Sequence, residues 1–168
     1  MSIQESITAA RSILSPKPDV GPAPDRPASA IVTDGLHCRV EGPENWALVT
    51  DMPGAVGGEG SAPTPAWLLR AAWASCAATA IAMRAAELGV SLTRLEVTAE
   101  SETDMRVLLG VGNGVAPGPE SGRMKVEIAS DEADERQLHE LVAYADGHSP
   151  VADALRRAIP VELEVVAG

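Results

Sequence analysis

"TPAWLLRAAWASCAATAIAMRAAELG", residues 64–89, contains the pattern that decides the fold. Thr64 is a favourable N-cap, Pro65 suits the first helical position, and Gly89 suits the residue that follows a helix C-terminus. Between the two arginines of this stretch every residue is apolar or small, and a helix without a polar face is typically buried on all sides. The sequence therefore predicts a long central helix over about 65–88, enclosed by the rest of the protein.

The N-terminal residues are predicted to form an arm outside the main domain. Residues 1–14 have the apolar spacing of a short amphipathic helix. Residues 15–29 are rich in proline and indicate an extended linker. We therefore predict an N-terminal helix and Pro-rich arm over 1–28, followed by one domain over 29–168.

The remaining elements predict a mixture of strands and helices. Strand patterns occur at 30–42 and 46–52, which form a predicted pair, and then at 92–102, 123–130 and 160–168, with 105–111 as a further candidate. Helix patterns occur at 131–147 and 149–158. Strands and helices that follow one another in this order, rather than alternating, are typical of the α+β class.

Composition excludes several classes of function. Thirteen basic and 24 acidic residues give a formal net charge of −11, which repels the phosphate backbone of nucleic acids. The first 14 residues lack the pattern of a secretory signal, and the uncharged run of the central helix is too short to span a bilayer. Two cysteines do not form a disulfide framework in a chain of 168 residues. We expect a soluble cytoplasmic protein with reduced thiols and neither a nucleic-acid nor a membrane partner.

Several stretches together resemble the OsmC/Ohr proteins. They are "GGEGSAPTPAWLLRAAWASCAATAIAMRAAELGVSLTRLEV" and, near the C-terminus, "ELVAYADGHSPVADALRRAIPVELEV". The shared features are a Gly-Gly loop, a helix start with proline, a small and apolar run that contains a cysteine, a following strand, and a short helix before a last strand. The resemblance covers about 30–167, and the arm lies outside it.

The resemblance implies a fold, a partner and an activity. The fold would be OsmC-like, with long central helices wrapped by β-sheets in an intertwined homodimer. The activity would be thiol-dependent reduction of organic hydroperoxides, with a dithiol as electron donor and neither a metal nor an organic cofactor. In the family, a peroxidatic cysteine on the central helix works with a resolving cysteine, and an arginine, often paired with a glutamate, polarises the thiolate and the peroxide.

The family's functional positions are only partly kept in this chain. Cys76 matches the peroxidatic cysteine, and Arg39 is the candidate for the activating arginine. Ser149 occupies the position of the resolving cysteine, and Ala66 that of the glutamate. His148, next to Ser149, is a candidate acid or base beside the site.

The chemistry requires a thiolate and a second thiol. A free thiol is only a few per cent ionised at neutral pH, and a nearby guanidinium favours the ionised form. Attack on the peroxide leaves a sulfenic acid, which another thiol must reduce. Because Ser149 has no sulfur, the reductant is either an external thiol or Cys38.

Each of these residues also has a structural interpretation that the sequence leaves open. Cys76 is compatible with an inert cysteine on an alanine-rich helix, and Cys38 with a packing residue of a strand. Arg39 is compatible with a solvated strand residue, Ser149 with a helix N-cap and His148 with an exposed loop histidine. Two other functions therefore stay open: a catalytically silent dimer that binds a small apolar ligand, and a redox sensor that forms a Cys38–Cys76 disulfide. No histidine has metal-ligand spacing to a cysteine, so we predict no metal site.

Overall fold

A computed structural model describes residues 2–17, 23–111 and 114–168. The protein has the predicted α+β class, with a long helix and two small antiparallel sheets. Its elements are α1 (Ile3–Leu14), β1 (Ser29–Asp34), β2 (His37–Glu41), β3 (Ala47–Thr50), α2 (Pro65–Leu88), β4 (Arg94–Glu102), α3 (Met105–Leu108), β5 (Ser121–Ala129), α4 (Glu135–Gly147) and α5 (Pro150–Arg156), with 3-10 turns at Pro43–Asn45 and Gly54–Val56. The chain forms two compact units, Met1–Ala71 and Ala72–Gly168. The predicted boundary after residue 28 stays a prediction.

The first unit contains a meander of three strands in the order β1-β2-β3. The predicted strand over 30–42 is wrong in one respect, because it divides into β1 and β2 at a two-residue turn, Gly35 and Leu36. Gly35 has a φ of 51°, which glycine adopts at little cost, and glycine is favoured at the first central position of a tight hairpin turn. Cys38 therefore lies on the middle strand, paired with Val32 of β1 and Thr50 of β3.

The predicted N-terminal helix is confirmed as α1. Ser2 caps it by accepting a hydrogen bond from the backbone of Glu5, whose side chain accepts one from the backbone of Ser2. This reciprocal capping box satisfies donors that the first turn would otherwise leave without partners. No residue of α1 is buried.

The bounds of α2 agree with the prediction, but its burial does not. Thr64 Oγ1 accepts a hydrogen bond from Trp67 N at 3.2 Å, and Gly89 follows the helix with a φ of 70°. Within the single chain, however, one face of α2 is buried through Ala77, Ile81 and Ala85, while large apolar side chains on its other faces are exposed. A two-stranded sheet and α4 are too small to surround 24 residues. By length and composition α2 could also cross a membrane, a test that core helices of soluble proteins pass as well.

The second unit is built on a hairpin of β4 and β5, which confirms the predicted strands at 92–102 and 123–130. Their register places Val97 opposite Val126, and the alternating pattern of β4 turns one face inward. The core joins this face to α2 and α4. Its buried residues are Ile81, Ala85, Leu141 and Ala145, and partly buried neighbours include Leu95, Val97, Val126, Ile128 and Val142.

Two predicted strands of this unit are wrong for the single chain. The candidate strand over 105–111 contains the short helix α3 instead, because Asp104 caps it by accepting a hydrogen bond from Arg106 N. The final predicted strand, 160–168, is neither helix nor strand. Alternation determines which residues share a face of a strand, but a strand also needs a hydrogen-bonding neighbour.

Candidate functional site

The structure brings two of the predicted site residues into contact. Ser149 Oγ donates a hydrogen bond to Cys76 Sγ at 3.2 Å, across 73 positions of sequence. Ser149 is 3% exposed, and Cys76 is half-buried and free of any disulfide. A half-buried sulfur with a fixed donor is more than a packing atom, because it has both access to solvent and a defined polar partner.

Ser149 has two roles at the same time. It is the N-cap of α5, and its Oγ accepts a hydrogen bond from Ala152 N at 3.3 Å. A hydroxyl has one proton to donate and two lone pairs to accept with. Capping uses a lone pair, so the proton remains available for Cys76. The structural and the functional interpretation of Ser149 are therefore compatible.

The backbone of His148 adjoins Ser149, whereas its imidazole ring contacts Tyr144. It ends α4 and directly precedes Ser149. Its Nδ1 lies 2.7 Å from the carbonyl oxygen of Tyr144, to which it donates, and the two rings are stacked with centroids 4.0 Å apart. A ring nitrogen that donates to a carbonyl carries the proton, so the lone pair of the neutral imidazole lies on Nε2.

Cys38 and Arg39 lie in the first unit, on β2. Cys38 is half-buried and reduced. Arg39 is exposed, and its Nε donates to Glu41 Oε1 at 2.5 Å, two residues further along the same strand face. Cys76 and Ser149 belong to the second unit, so the roles predicted for Cys38 and Arg39 towards Cys76 stay predictions.

A buried carboxylate that the sequence pattern does not reveal shapes the loop before α2. Asp51 is 0% exposed, and its carboxylate accepts backbone hydrogen bonds from Met52, Glu59 and Ser61. The pKa of Asp51 is lowered from 3.8 to about 2, chiefly by the Ser61 N–H, with burial acting in the opposite direction. A carboxylate at the end of a strand, followed by a glycine-rich loop with many free N–H groups, is the signal that identifies such an anchor.

Two further side chains interact with this anchor. His37 Nε2 lies 3.2 Å from both Asp51 Oδ2 and Ser61 Oγ, and Ser61 Oγ also donates to Asp51. Because the carboxylate and the hydroxyl share one ring nitrogen, the three residues do not have the arrangement of a catalytic triad, in which they bind opposite nitrogens. The cluster fixes the loop.

A groove of about 430 Å³ lies beside the same loop. It is lined by Pro53, Gly60, Ala62, Pro63, Thr64, Trp67 and Arg70. Trp67, whose place on the long apolar helix favours a packing role, is 48% exposed there. Within the described ranges no three His, Cys, Asp or Glu side chains are grouped so that they could hold a metal ion.

Residues 58–164 match the sequence profile of one family, described as OsmC-like protein. The chain belongs to this OsmC-like family. The match covers Cys76 and Ser149 but begins after Cys38 and Arg39.

Solved structures agree with the assignment to the OsmC-like family. The organic hydroperoxide resistance protein OsmC from Legionella pneumophila is 26% identical, with a TM-score of 0.55 over 80% of this chain and 91% of that one. The OsmC-like protein from Mycoplasma pneumoniae is 12% identical, with a TM-score of 0.68 over 80% and 89%. An organic hydroperoxide resistance protein from Vibrio cholerae is 24% identical, with a TM-score of 0.57 over 82% and 88%. No curated protein sequence matches the chain.

Proposed function

We propose that this OsmC-like protein reduces organic hydroperoxides, with Cys76 as the attacking thiol. The observation that carries the proposal is the hydrogen bond from the buried Ser149 hydroxyl to Cys76 Sγ. The thiolate is the reactive form of cysteine, and a donor aimed at the sulfur stabilises the anion more than the neutral thiol. The names of the relatives from Legionella and Vibrio support the class of substrate.

The proposed cycle uses one cysteine and an external thiol. The Cys76 thiolate attacks the O–O bond, which yields Cys76 sulfenic acid and, after protonation, the alcohol. A first external thiol forms a mixed disulfide with Cys76 and releases water. A second thiol, or the other end of a dithiol, attacks that disulfide, restores the Cys76 thiol and leaves as the oxidised reductant. Ser149 cannot form the internal disulfide, so the reductant must reach Cys76 itself unless Cys38 does.

Arg39 is the proposed activator, and its pairing with Glu41 supports that role. The resemblance implies an arginine oriented by a glutamate, and Ala66 at the family's glutamate position leaves that carboxylate missing. Glu41 supplies a carboxylate to Arg39 from the next residue on the same strand face. A guanidinium held in one orientation can bind a developing oxyanion with two N–H groups.

We propose a cytoplasmic homodimer as the working form, because the single chain leaves a large apolar surface uncovered. On α2, Met83 is 45% and Leu88 53% exposed. In the C-terminal segment, Val161, Leu163 and Val165 are 81%, 89% and 78% exposed. Large apolar side chains left exposed in this number are typical of protein–protein interfaces.

Charge favours β5 of a second copy as the place where the C-terminal segment binds. The exposed Arg123 and Lys125 lie two residues apart on β5, whose pairing within the described ranges is with β4 alone. The segment carries Glu162 and Glu164 at the same spacing. A strand added along β5 would place opposite charges side by side on the outer face and apolar residues on the inner one.

Consumption of hydroperoxide tests the activity. Cumene hydroperoxide is mixed with the purified protein and either a monothiol or a dithiol, and loss of peroxide is followed beside Cys76→Ser, Cys38→Ser and Arg39→Met. The proposal expects turnover that Cys76→Ser abolishes, Arg39→Met slows and Cys38→Ser leaves intact. Loss of turnover in Cys38→Ser, with a Cys38–Cys76 disulfide in the oxidised wild type, would favour the redox pair. No turnover with any thiol would refute the proposal and favour an apolar-ligand protein, for which the groove at Trp67 is the candidate site.

A further inference from the structure

Three side chains form a layered stack next to the Cys76–Ser149 contact. The guanidinium carbon of Arg84 lies 3.9 Å from the centroid of the Tyr144 ring. The His148 ring lies 4.0 Å from the same centroid at an interplanar angle of 18°. Two groups at these distances cannot share one face of a ring without overlapping, so Tyr144 is held between Arg84 on one face and His148 on the other.

The stack connects two elements of the second unit. Arg84 is on α2, whereas Tyr144 is on α4 and His148 is the residue that ends α4, directly before the N-cap of α5. Arg84 is itself fixed, because its Nη1 donates to Glu87 Oε2 at 2.7 Å and its side chain is 24% exposed. Cation–π and stacked-ring contacts are both attractive and both require a defined geometry.

The connection closes a ring of contacts that returns to Cys76. Arg84 and Cys76 lie on the same helix, separated by eight residues or about 12 Å. From Arg84 the contacts run through Tyr144 to His148, and the next residue, Ser149, donates to Cys76 Sγ. The Ser149 hydroxyl is therefore linked to α2 in two ways: directly, through Cys76, and indirectly, through the stack that ends at Arg84. A separate contact, the ion pair of Arg156 with Asp146, joins α5 to the end of α4 and involves none of the residues in this chain of contacts.

We infer that Tyr144, clamped between Arg84 and His148, is the positioning residue that holds the Ser149 hydroxyl on Cys76 Sγ and thereby sets the reactivity of that thiol. The inference rests on the proposed function of Cys76. A hydrogen bond of an O–H to a sulfur anion weakens steeply when the donor moves or turns. Loosening the stack frees His148, which carries Ser149 with it, and the thiolate loses its donor.

Alkylation of Cys76 by iodoacetamide tests the inference without any peroxide. All variants carry Cys38→Ser, so that one thiol reacts, and rates are measured from low to high pH on protein shown to be folded by circular dichroism. Ser149 Oγ, 3.2 Å from Cys76 Sγ, is the donor that stabilises negative charge on the attacking sulfur. Ser149→Ala is therefore expected to slow alkylation of Cys76 at neutral pH by roughly threefold.

The variants of the stack separate positioning from general stability. Tyr144→Leu removes the ring and is expected to slow alkylation as Ser149→Ala does, whereas Tyr144→Phe keeps the ring and the rate. His148→Ala removes the exposed outer layer of the stack, and it is expected to act in the same direction. The matched control is His139→Ala, an exposed histidine on α4 outside the stack, which should leave the rate unchanged.

A double-mutant comparison decides the result. If Tyr144 acts through Ser149, then Tyr144→Leu has no further effect on alkylation in the Ser149→Ala background. Independent effects that multiply, or Tyr144→Leu and His148→Ala proteins that fold and react at the wild-type rate, would overturn the inference. A Tyr144→Phe protein as slow as Tyr144→Leu would also overturn it. Since iodoacetamide replaces the hydroperoxide, these results stand apart from whether Cys76 reduces peroxides at all.

Discussion

Ser149→Cys should convert the hydrogen-bonded pair into a disulfide. Ser149 Oγ and Cys76 Sγ are 3.2 Å apart. A C–S bond is longer than a C–O bond, so small side-chain rotations bring the two sulfurs to the disulfide length of about 2.05 Å. Oxidation with one equivalent of hydroperoxide should therefore remove two hydrogens from the variant, with both thiols oxidised and the peroxide reduced to alcohol and water.

The stabilisation follows from the length of the closed loop. The two positions are 73 residues apart, and the loop-entropy relation gives about 4 kcal/mol for a loop of this length at 25 °C. For a protein of this size that corresponds to an increase of roughly 10 °C in the midpoint of thermal unfolding. The reduced variant should be about 1 kcal/mol less stable than the wild type, because cysteine is a weaker N-cap than serine.

Mass spectrometry and thermal unfolding test both parts. Oxidised and reduced Ser149→Cys are compared in the Cys38→Ser background, with Ser149→Ala as the control that cannot form the bond. A disulfide between Cys76 and the introduced cysteine, together with the higher unfolding midpoint, supports the geometry. Persistent free thiols, or a disulfide that lowers the midpoint, would refute the placement of these two side chains.

Three other predictions concern stability and assembly. The pKa of Asp51 is about 2 in the folded protein and 3.8 ordinarily. The contribution of its carboxylate to folding stability is therefore fully present above pH 3.8 and lost as the pH falls towards 2. The free energy of unfolding, measured against pH in the acid range, should change less steeply for Asp51→Asn than for the wild type. Gly58→Ala should destabilise the protein, because the added Cβ would lie 1.8 Å from the carbonyl oxygen of Met52. Gly54→Ala is the control and should unfold at the wild-type temperature, because a Cβ there would have no neighbouring atom within 4 Å. Equal unfolding midpoints for the two variants would contradict the loop geometry. Deletion of 160–168 should convert a dimer into monomers in sedimentation velocity, and an unchanged dimer would exclude this segment from the interface.

The sequence predicts an element correctly where residues close to one another in the chain determine its conformation. The ends of α2 were predicted because Thr64, Pro65 and Gly89 act within one turn of the helix. The turn at Gly35 and Leu36 between β1 and β2 is hidden in the sequence because the residues on both sides have continuous β-propensity, although a glycine at this position is compatible with a hairpin turn. Asp104 is likewise recognisable in the sequence as a favourable N-cap for α3, but the apolar run that follows it also suits a strand.

The remaining features of the fold and the site depend on contacts between distant segments of the chain. A single sequence does not specify those contacts. Periodicity indicated that 160–168 alternates, but a strand forms only beside another strand. The burial of α2 was predicted from its composition, whereas burial requires a second surface to cover it. Asp51 is one acidic residue among many in the sequence, and its role follows from the N–H groups that the loop brings to it. Cys76 and Ser149 were singled out through the resemblance, and their contact required the structure.

The mass of the peptide that contains Cys76, measured after exposure to hydroperoxide, shows whether this thiol attacks the peroxide. Reduced Cys38→Ser protein is mixed with one equivalent of cumene hydroperoxide, trapped with dimedone within seconds and digested, so that oxidation of the five methionines is read separately. We expect a dimedone adduct of the sulfenic acid on the peptide that contains Cys76 and none in the Cys76→Ser protein. A Cys76 peptide that keeps its free thiol over minutes would refute the role of Cys76 as the attacking thiol.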